Sequence, residues 1–390
     1  MSQPPALPDG DPATAARRVV VLVQGSSKGL QGVKYGSAFA ALRRHLPQVE
    51  FWDVDIWGWR RALCMARAFR PDTRIWRETF YSHPATFDAY GKAFAAKVRQ
   101  QGAPVDCFVT FGLKFDAARH SGGAPVITYT DYTTALTARL ANRLRHPLDG
   151  ALSARRIAQE QRAMEGLAAI CVRSRFVADA ITGDYGIAPD RIEVVGGGSN
   201  LPLPPAAADR NPPDRPVRFL FVGKSFLRKG GDIVLDAFRR LRARQPFAEL
   251  VMVTADAPPD LPQGVTVHAA PDPALFASLF RSSDAFVIAS RFETWGDVLI
   301  EAMSQGLPCL CPDQPPLDEI VEEGVTGRLF PPGDSAALAR AMEDLCTDAP
   351  LRRRLGDAGL ARATTRFDWD IVAGKIARTV ARTISARDTA

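Results

Sequence analysis

Residues Val19–Val23 (VVVLV) are apolar without a break, and a glycine-rich polar stretch and then apolar residues at helical spacing follow them. A short run with no polar alternation predicts a strand covered on both faces, as in a parallel sheet. Similar runs at 105–110, Val126–Thr130, 168–172 and 192–195 predict four more such strands, with helical patterns between them. One of these helices spans 176–185, with Ser174 placed to cap it. Residues 201–216, LPLPPAAADRNPPDRP, break the pattern. Neither a helix nor a central strand tolerates so much proline, so this stretch reads as a linker. The pattern then restarts, with strands at 217–223, 249–254, Val265–His268, 285–289 and 308–311. Apolar residues at Phe367, Ile371, Val372, Ile376, Val380 and Ile384 predict a terminal helix docked on a core.

Strands alternating with helices on both sides of a linker predict an α/β fold of two doubly wound, Rossmann-like domains. Ligands of such sheets bind beyond the carboxyl ends of the strands, so two facing domains place their sites across a cleft. The domain plan is a disordered lead at 1–16, a first domain at 17–205, a linker at 206–216, a second domain at 217–366 and a terminal helix at 367–390 that crosses back to the first domain. The lead is rich in Pro, Ala and Asp and lacks the apolar stretch of a signal peptide.

The chain has 390 residues, 46% of them apolar and 24% charged, as in soluble globular proteins. No apolar run approaches the roughly 18 residues that span a bilayer, so a cytoplasmic location is expected. The six cysteines form no C-x-x-C pair and the five histidines are scattered, which argues against a zinc site or a disulfide framework. Cys309 and Cys311 flank Leu310 in a predicted strand and read as small core residues. Residues 1–200 hold 26 Lys and Arg against 18 Asp and Glu, a net of +8, whereas 201–390 hold 23 against 25, a net of −2. Either the halves face different partners, or the asymmetry follows the chain's preference for arginine, 41 against 8 lysines.

Candidate chemistry concentrates at RFETWGDVLIEAMSQGLPCLCPD, beginning at Arg291. Glu293 falls in the loop after a strand, Gly296 lets the backbone turn, and Glu301 lies about one turn into the next helix. A helix amino end carries unpaired N–H groups and partial positive charge, and so attracts an anion. An anion flanked by two carboxylates suits a sugar nucleotide: the diphosphate meets the helix end and the glutamates accept from hydroxyls. The loop GKSFLRKGG, from Gly223, places two of the eight lysines, Lys224 and Lys229, after another strand. A rotatable ammonium suits a phosphate oxygen; taken alone, the two would read as solvated loop lysines.

The segment ETWGDVLIEAMSQGLP resembles the E-x7-E signature of retaining glycosyltransferases of family 4 (group 1), which have the GT-B fold. FLFVGKSFLRKGGDIVLDAF resembles their donor phosphate loop, GLAAICVRSRFVADAITGDYGIAPDRIEVVGGGSN the end of their first domain, and RFDWDIVAGKI their terminal helix. The resemblance implies that the first domain is the acceptor side and the second binds the donor. It implies that Glu293 binds the transferred sugar, with N–H groups from 295–297 nearby, and that Glu301 holds the ribose. Lys224 and Lys229 would neutralise the leaving diphosphate, and Gly223, Thr294, Trp295, Gly296, Asp297 and Val298 would complete the donor site. It implies retention, no metal and no cofactor beyond the nucleotide-sugar donor, with a glycan or lipid-linked acceptor.

The chain departs from the family at one point. Thr130 stands where the family often carries a histidine, and Asp131 follows it. Asp131 reads as a base or hydrogen-bond partner for the acceptor hydroxyl, or as the cap of a helix starting near Thr133. The Gly-rich stretch GSSKGLQG lacks the G-K-[ST] ending of a phosphate-binding loop, and Gly29 and Gly32 are expected to line the cleft. Asp53-Val54-Asp55 resembles the metal-binding D-x-D of a different glycosyltransferase fold, but its place in the strand order fits a strand edge or loop.

Residues 55–81 hold three of the six tryptophans. Trp59, Ala62, Leu63, Ala66 and Phe69 share one helical face, and Arg60, Arg67, Arg70 and Arg74 a neighbouring one. Such a helix lies on an anionic membrane surface or turns its apolar stripe to the core. On the first reading the protein sits peripherally at the inner membrane face. No nucleic-acid-binding motif accompanies the basic charge. Other readings are a sugar-nucleotide epimerase or a phosphorylase on the same fold, and a non-catalytic membrane-associated binding protein.

Overall fold

The computed structural model describes residues 17–23, 35–139, 147–203 and 215–389. The chain divides into two compact units, Met1–Gly196 with Trp369–Ala390, and Gly197–Asp368. Each unit is built on a six-stranded parallel sheet.

The first sheet comprises β1 (Val19–Val23), β2 (Glu50–Asp53), β3 (Cys107–Phe111), β4 (Val126–Thr130), β5 (Ala169–Val172) and β6 (Ile192–Val194), in the order β2-β1-β3-β4-β5-β6. All five residues of β1 are buried. Val20 and Leu22 enter one core with Phe94 and Phe108, while Val19, Val21 and Val23 enter another with Phe39 and Cys107. That split is why the run shows no alternation: both faces of the strand are dry. Helices α1 (Gly36–His45), α2 (Gly58–Arg67), α3 (Thr73–Ser82), α4 (Pro84–Gln100), α5 (Thr134–Arg139), α6 (Gly150–Glu165) and α7 (Arg175–Tyr185) connect the strands. Ser174 caps α7, its Oγ accepting from Val177 N at 3.2 Å.

The terminal helix, Trp369–Asp388, belongs to this first unit. Val372, Ile376, Val380 and Ile384 pack with Val19, Val21 and Phe39. Arg173 is buried beneath it, its guanidinium 5.4–5.6 Å from the ring centroids of Tyr35, Tyr129 and Trp369. Phe367, assigned above to this helix, lies before it and packs its ring 6.0 Å from Trp295 in the second unit.

The second sheet comprises β7 (Arg218–Val222), β8 (Glu249–Val253), β9 (Val265–His268), β10 (Ala285–Val287), β11 (Cys309–Pro312) and β12 (Gly327–Phe330), in the order β12-β11-β10-β7-β8-β9. Phe219 and Phe221 face one core, Leu220 and Val222 the other. Helix α8 (Gly231–Arg242) follows β7 and α9 (Asp297–Ser304) follows β10. Cys309 and Cys311 are fully buried in β11, and burial pushes the thiol pKa of both upward. Residues 197–203 belong to the second unit: Ser199 Oγ lies 3.0 Å from Ser304 Oγ, and Gln305 donates to Pro202 O at 2.8 Å.

Candidate functional site

The second sheet reverses its order between β7 and β10. Connections from β7 run one way and those from β10 the other, which opens a crevice beyond their carboxyl ends. The loops leaving these two strands carry the predicted lysines and Glu293.

Glycines shape the first loop. Gly230 has φ +69°, and a Cβ there would lie 1.9 Å from the Ala289 carbonyl oxygen, inside any tolerable contact. A Cβ on Gly223 would meet Lys229 Cβ at 2.6 Å. The bare backbone lets the two loops bond to each other: Ala289 N donates to Lys229 O at 3.3 Å and Arg291 N to Arg228 O at 3.0 Å. Arg291 adds a two-pronged ion pair with Asp232, at 2.8 and 2.7 Å.

This arrangement brings Lys229 onto Glu293. The ammonium donates to Glu293 Oε1, Ser290 Oγ donates to the same oxygen at 2.8 Å, and Arg228 Nη1 lies 3.7 Å from it. Glu293 is buried, so these partners offset the cost of removing its charge from water. An ammonium has three donors. Lys229 uses one on its sole side-chain partner among the described residues and keeps two for a ligand. Lys224 lies on the same loop but is exposed and has no ion-pair partner among the described residues.

Thr294 and Trp295 are buried next to Glu293, and the Trp295 Nε1 donor has no hydrogen-bond partner among the described residues. Gly296 opens α9, and no side chain caps that helix end. A Cβ at Gly296 would meet Ile320, Leu299 and Leu317 at 3.1–3.2 Å. Asp297 and Val298, both half-buried, form the first turn. Glu301 is buried one turn further on. Burial, helped by the Asp297 charge, pushes its carboxyl up to about 8; a hydrogen bond from Asn200 and the charge of Lys229 pull the other way. A carboxyl raised in this way holds its proton to higher pH than an ordinary glutamate, and when protonated it can donate as well as accept toward a diol. Sequence reasoning did not single out Arg228, Ser290 or Asn200, although each adjoins or lies within a stretch quoted above.

The first sheet reverses its order between β1 and β3. There a cavity of about 250 Å³ is lined by Leu22, Thr110, Lys114, Asp131 and Tyr132, among others. Asp131 is buried in its wall. Helix α5 begins at Thr134, next to the expected Thr133, and it is Thr133 that serves its amino end. Thr133 Oγ1 accepts from Leu136 N at 3.1 Å and Glu160 Oε2 from Thr134 N at 2.7 Å. Thr130 ends β4, its hydroxyl 3.0 Å from Tyr132 O. Gly29 and Gly32 lie outside the described residues.

Asp53 ends β2, and Asp55 follows in a loop where it accepts from Tyr90 OH at 3.0 Å and Ile56 N at 2.8 Å. In α2 only Cys64 is buried. The apolar stripe of this helix therefore does not face the core: Trp59 is 71% exposed, Leu63 42% and Phe69, just beyond, 58%. No helix of the described residues is long and apolar enough to cross a membrane.

Comparison with known proteins agrees with this geometry. Residues 206–362, which contain both loops and α9, match the family described as glycosyl transferases group 1. Over 103 residues the chain is 40% identical to a phosphatidyl-myo-inositol mannosyltransferase of Mycobacterium leprae (strain TN), covering 26% of this chain and 27% of that one. A glycogen synthase of Mycobacterium tuberculosis (strain ATCC 25618 / H37Rv) is 29% identical over 58% of this chain and 57% of its own. The chain spans between 22% and 63% of the length of such curated relatives. Among solved structures, a sucrose-phosphate synthase from Thermosynechococcus elongatus superposes with a TM-score of 0.69 at 20% identity, over 95% of this chain and all of its own. The resemblance to group 1 glycosyltransferases holds, and the fold is GT-B, with two Rossmann-like units.

Proposed function

We propose that this GT-B chain, whose residues 206–362 match the group 1 glycosyl transferases, moves a sugar from a nucleoside diphosphate sugar to an acceptor hydroxyl. The observation that carries the reading is the convergence of Lys229, Glu293, Glu301 and the uncapped start of α9 at the order reversal of the second sheet. The α9 end and the two spare donors of Lys229 meet the diphosphate, with Lys224 reaching in from the exposed side of the loop. Glu293 accepts from the transferred sugar and Glu301 bonds the ribose hydroxyls.

Charge builds on the leaving diphosphate as the bond from the anomeric carbon to phosphate oxygen breaks. The lysines and the helix end stabilise that charge, and no metal is needed to do so. The acceptor oxygen attacks on the face the phosphate leaves, which gives retention, and the leaving phosphate oxygen takes the acceptor proton. Asp131, buried in the cavity wall of the first unit, orients the acceptor hydroxyl. The acceptor is a glycan or a lipid-linked glycan, presented at an anionic membrane surface that 55–81 contacts from the cytoplasmic side. The outward apolar stripe of α2 supports that contact.

Calorimetric binding and thermal shift across UDP, GDP and ADP test the donor site. One nucleotide is expected to bind tightly to the wild type and weakly to Glu301→Ala and Lys229→Ala. A folded wild-type protein that binds none of the three would overturn the transferase reading. Net conversion of a sugar nucleotide without an acceptor would make the chain an epimerase instead.

A further inference from the structure

We infer that a groove between α2, the start of α4 and α6 binds the phosphate headgroup of an anionic lipid, at a site separate from the reaction site. The groove encloses about 530 Å³ and shares no lining residue with the cavity beyond β1 and β3. This deepens the proposed contact with an anionic surface and rests on that part of the reading only.

Charge is the first argument. Arg60, Arg67, Lys92 and Arg155 line the groove against a single carboxylate, Asp88. That carboxylate is already engaged, by Gln159 at 2.7 Å and Arg155 at 3.4 Å. Arg67 and Lys92 have no ion-pair partner among the described residues, and Arg60 lies over the ring of Trp59 at 5.6 Å. Gathered cations with so little counter-charge repel one another, and a bound phosphate relieves that repulsion. His83 in the same wall feels this field. Its imidazole loses protons more readily than usual, through burial first and then through Arg155, Arg67 and Arg70. Its Nδ1 accepts from Ala85 N at 3.1 Å, so it caps α4 as the neutral ring.

The rim decides between a free phosphate and a lipid. Trp59 and Leu63 line the groove itself, and Trp57, 66% exposed, and Phe69 stand close to them in the chain. A free phosphate gains nothing from exposed tryptophans. A lipid at a bilayer surface uses both parts, with the phosphate among the cations and the indoles at the boundary between headgroup and acyl chain. Arginine and lysine held in a groove also differ from a diffuse basic surface, because the anion must fit between them.

The test compares two double variants of equal charge change in the full-length protein. Arg67→Gln with Lys92→Gln removes two groove cations that lack an ion-pair partner among the described residues. Arg74→Gln with Arg77→Gln removes two exposed arginines of α3 that do not line it. Flotation with phosphatidylglycerol/phosphatidylcholine vesicles is expected to weaken at least about tenfold for the groove pair, and several-fold less for the α3 pair. Monomeric dihexanoyl-phosphatidylglycerol, titrated below its micelle threshold, is expected to bind the wild type saturably and change the fluorescence of Trp59, with Trp59→Phe as control. The groove pair abolishes that binding, and circular dichroism verifies that all variants remain folded. Equal losses for both pairs, without saturable binding of the short lipid, would overturn the groove and leave a diffuse membrane contact. Inorganic phosphate binding as tightly as the short lipid would overturn the lipid assignment. If the wild type floats equally with anionic and neutral vesicles, the membrane contact itself fails, and the short-lipid titration then judges the groove alone.

Discussion

Each sheet reverses its strand order once, between β1 and β3 and between β7 and β10, yet the crevices they open differ in how much is settled in advance. In the second unit Lys229, Ser290 and Arg228 converge on Glu293 Oε1, and Gly230 lets the two loops press together. In the first unit the corresponding place is a cavity of about 250 Å³, with Asp131 in a wall that is otherwise largely aromatic and aliphatic. A site for a constant charged group profits from donors fixed before the ligand arrives, since no reorganisation is then needed during reaction. A site for a more variable partner needs room instead. The difference teaches where chemistry and where selectivity reside on the proposed reading.

The comparison can be broken most severely at Gly230. Gly230→Ala places a methyl 1.9 Å from Ala289 O at a residue with φ +69°, so the second unit is expected not to fold. Urea unfolding followed by far-ultraviolet circular dichroism would show this, and a normal transition would mean that the loops are less tightly joined than described. Next in size is Lys229→Ala. It removes the partner of a buried carboxylate and the proposed phosphate ligand, and kcat/KM should fall about 10²–10³-fold. Stability should fall by about 1–2 kcal/mol, because Ser290 and Arg228 still serve Glu293.

Asp131→Asn sharpens the contrast from the other side. A loss of about tenfold or more in kcat, with nucleotide affinity unchanged by calorimetry, assigns Asp131 to the acceptor. A change in nucleotide affinity would move it to the donor site.

The last expected effect concerns pH and builds up over several units. Glu301 is pushed up to about 8 in the folded protein from an ordinary value of 4.5. Below 4.5 the group is protonated whether the chain is folded or not. Between 4.5 and about 8 the folded protein keeps a proton that the unfolded chain has released, so stability declines as pH rises, by at most about 1.4 kcal/mol per unit. Above about 8 the decline is complete. Glu301→Gln should flatten this part of a thermal-stability profile. An unchanged slope would mean that the carboxyl is ionised in the folded protein at neutral pH.

Central strands were legible because burial on both faces writes an unbroken apolar run. Val19–Val23 and Val126–Thr130, both interior to the first sheet, lie where the runs place them. The strands β2 and β12 escaped notice. Each is an edge strand of four residues, EFWD and GRLF, with half-exposed positions and no run to betray it. Glu293, Glu301 and Lys229 could be named because a glycine turn, a helix start and their acids lie close together in the chain.

By itself the sequence determined two α/β units, a terminal helix, and the acid and lysine candidates. Local patterns suffice for these, since each depends on residues only a few positions apart. Tertiary structure alone decided three other matters. It placed Lys229 rather than Lys224 on Glu293, through backbone bonds between loops some sixty residues apart. It set Glu301 to hold its proton, through burial that no motif records. And it turned the apolar stripe of α2 outward, because periodicity reports that a helix has two faces while the packing of its neighbours determines which one meets water.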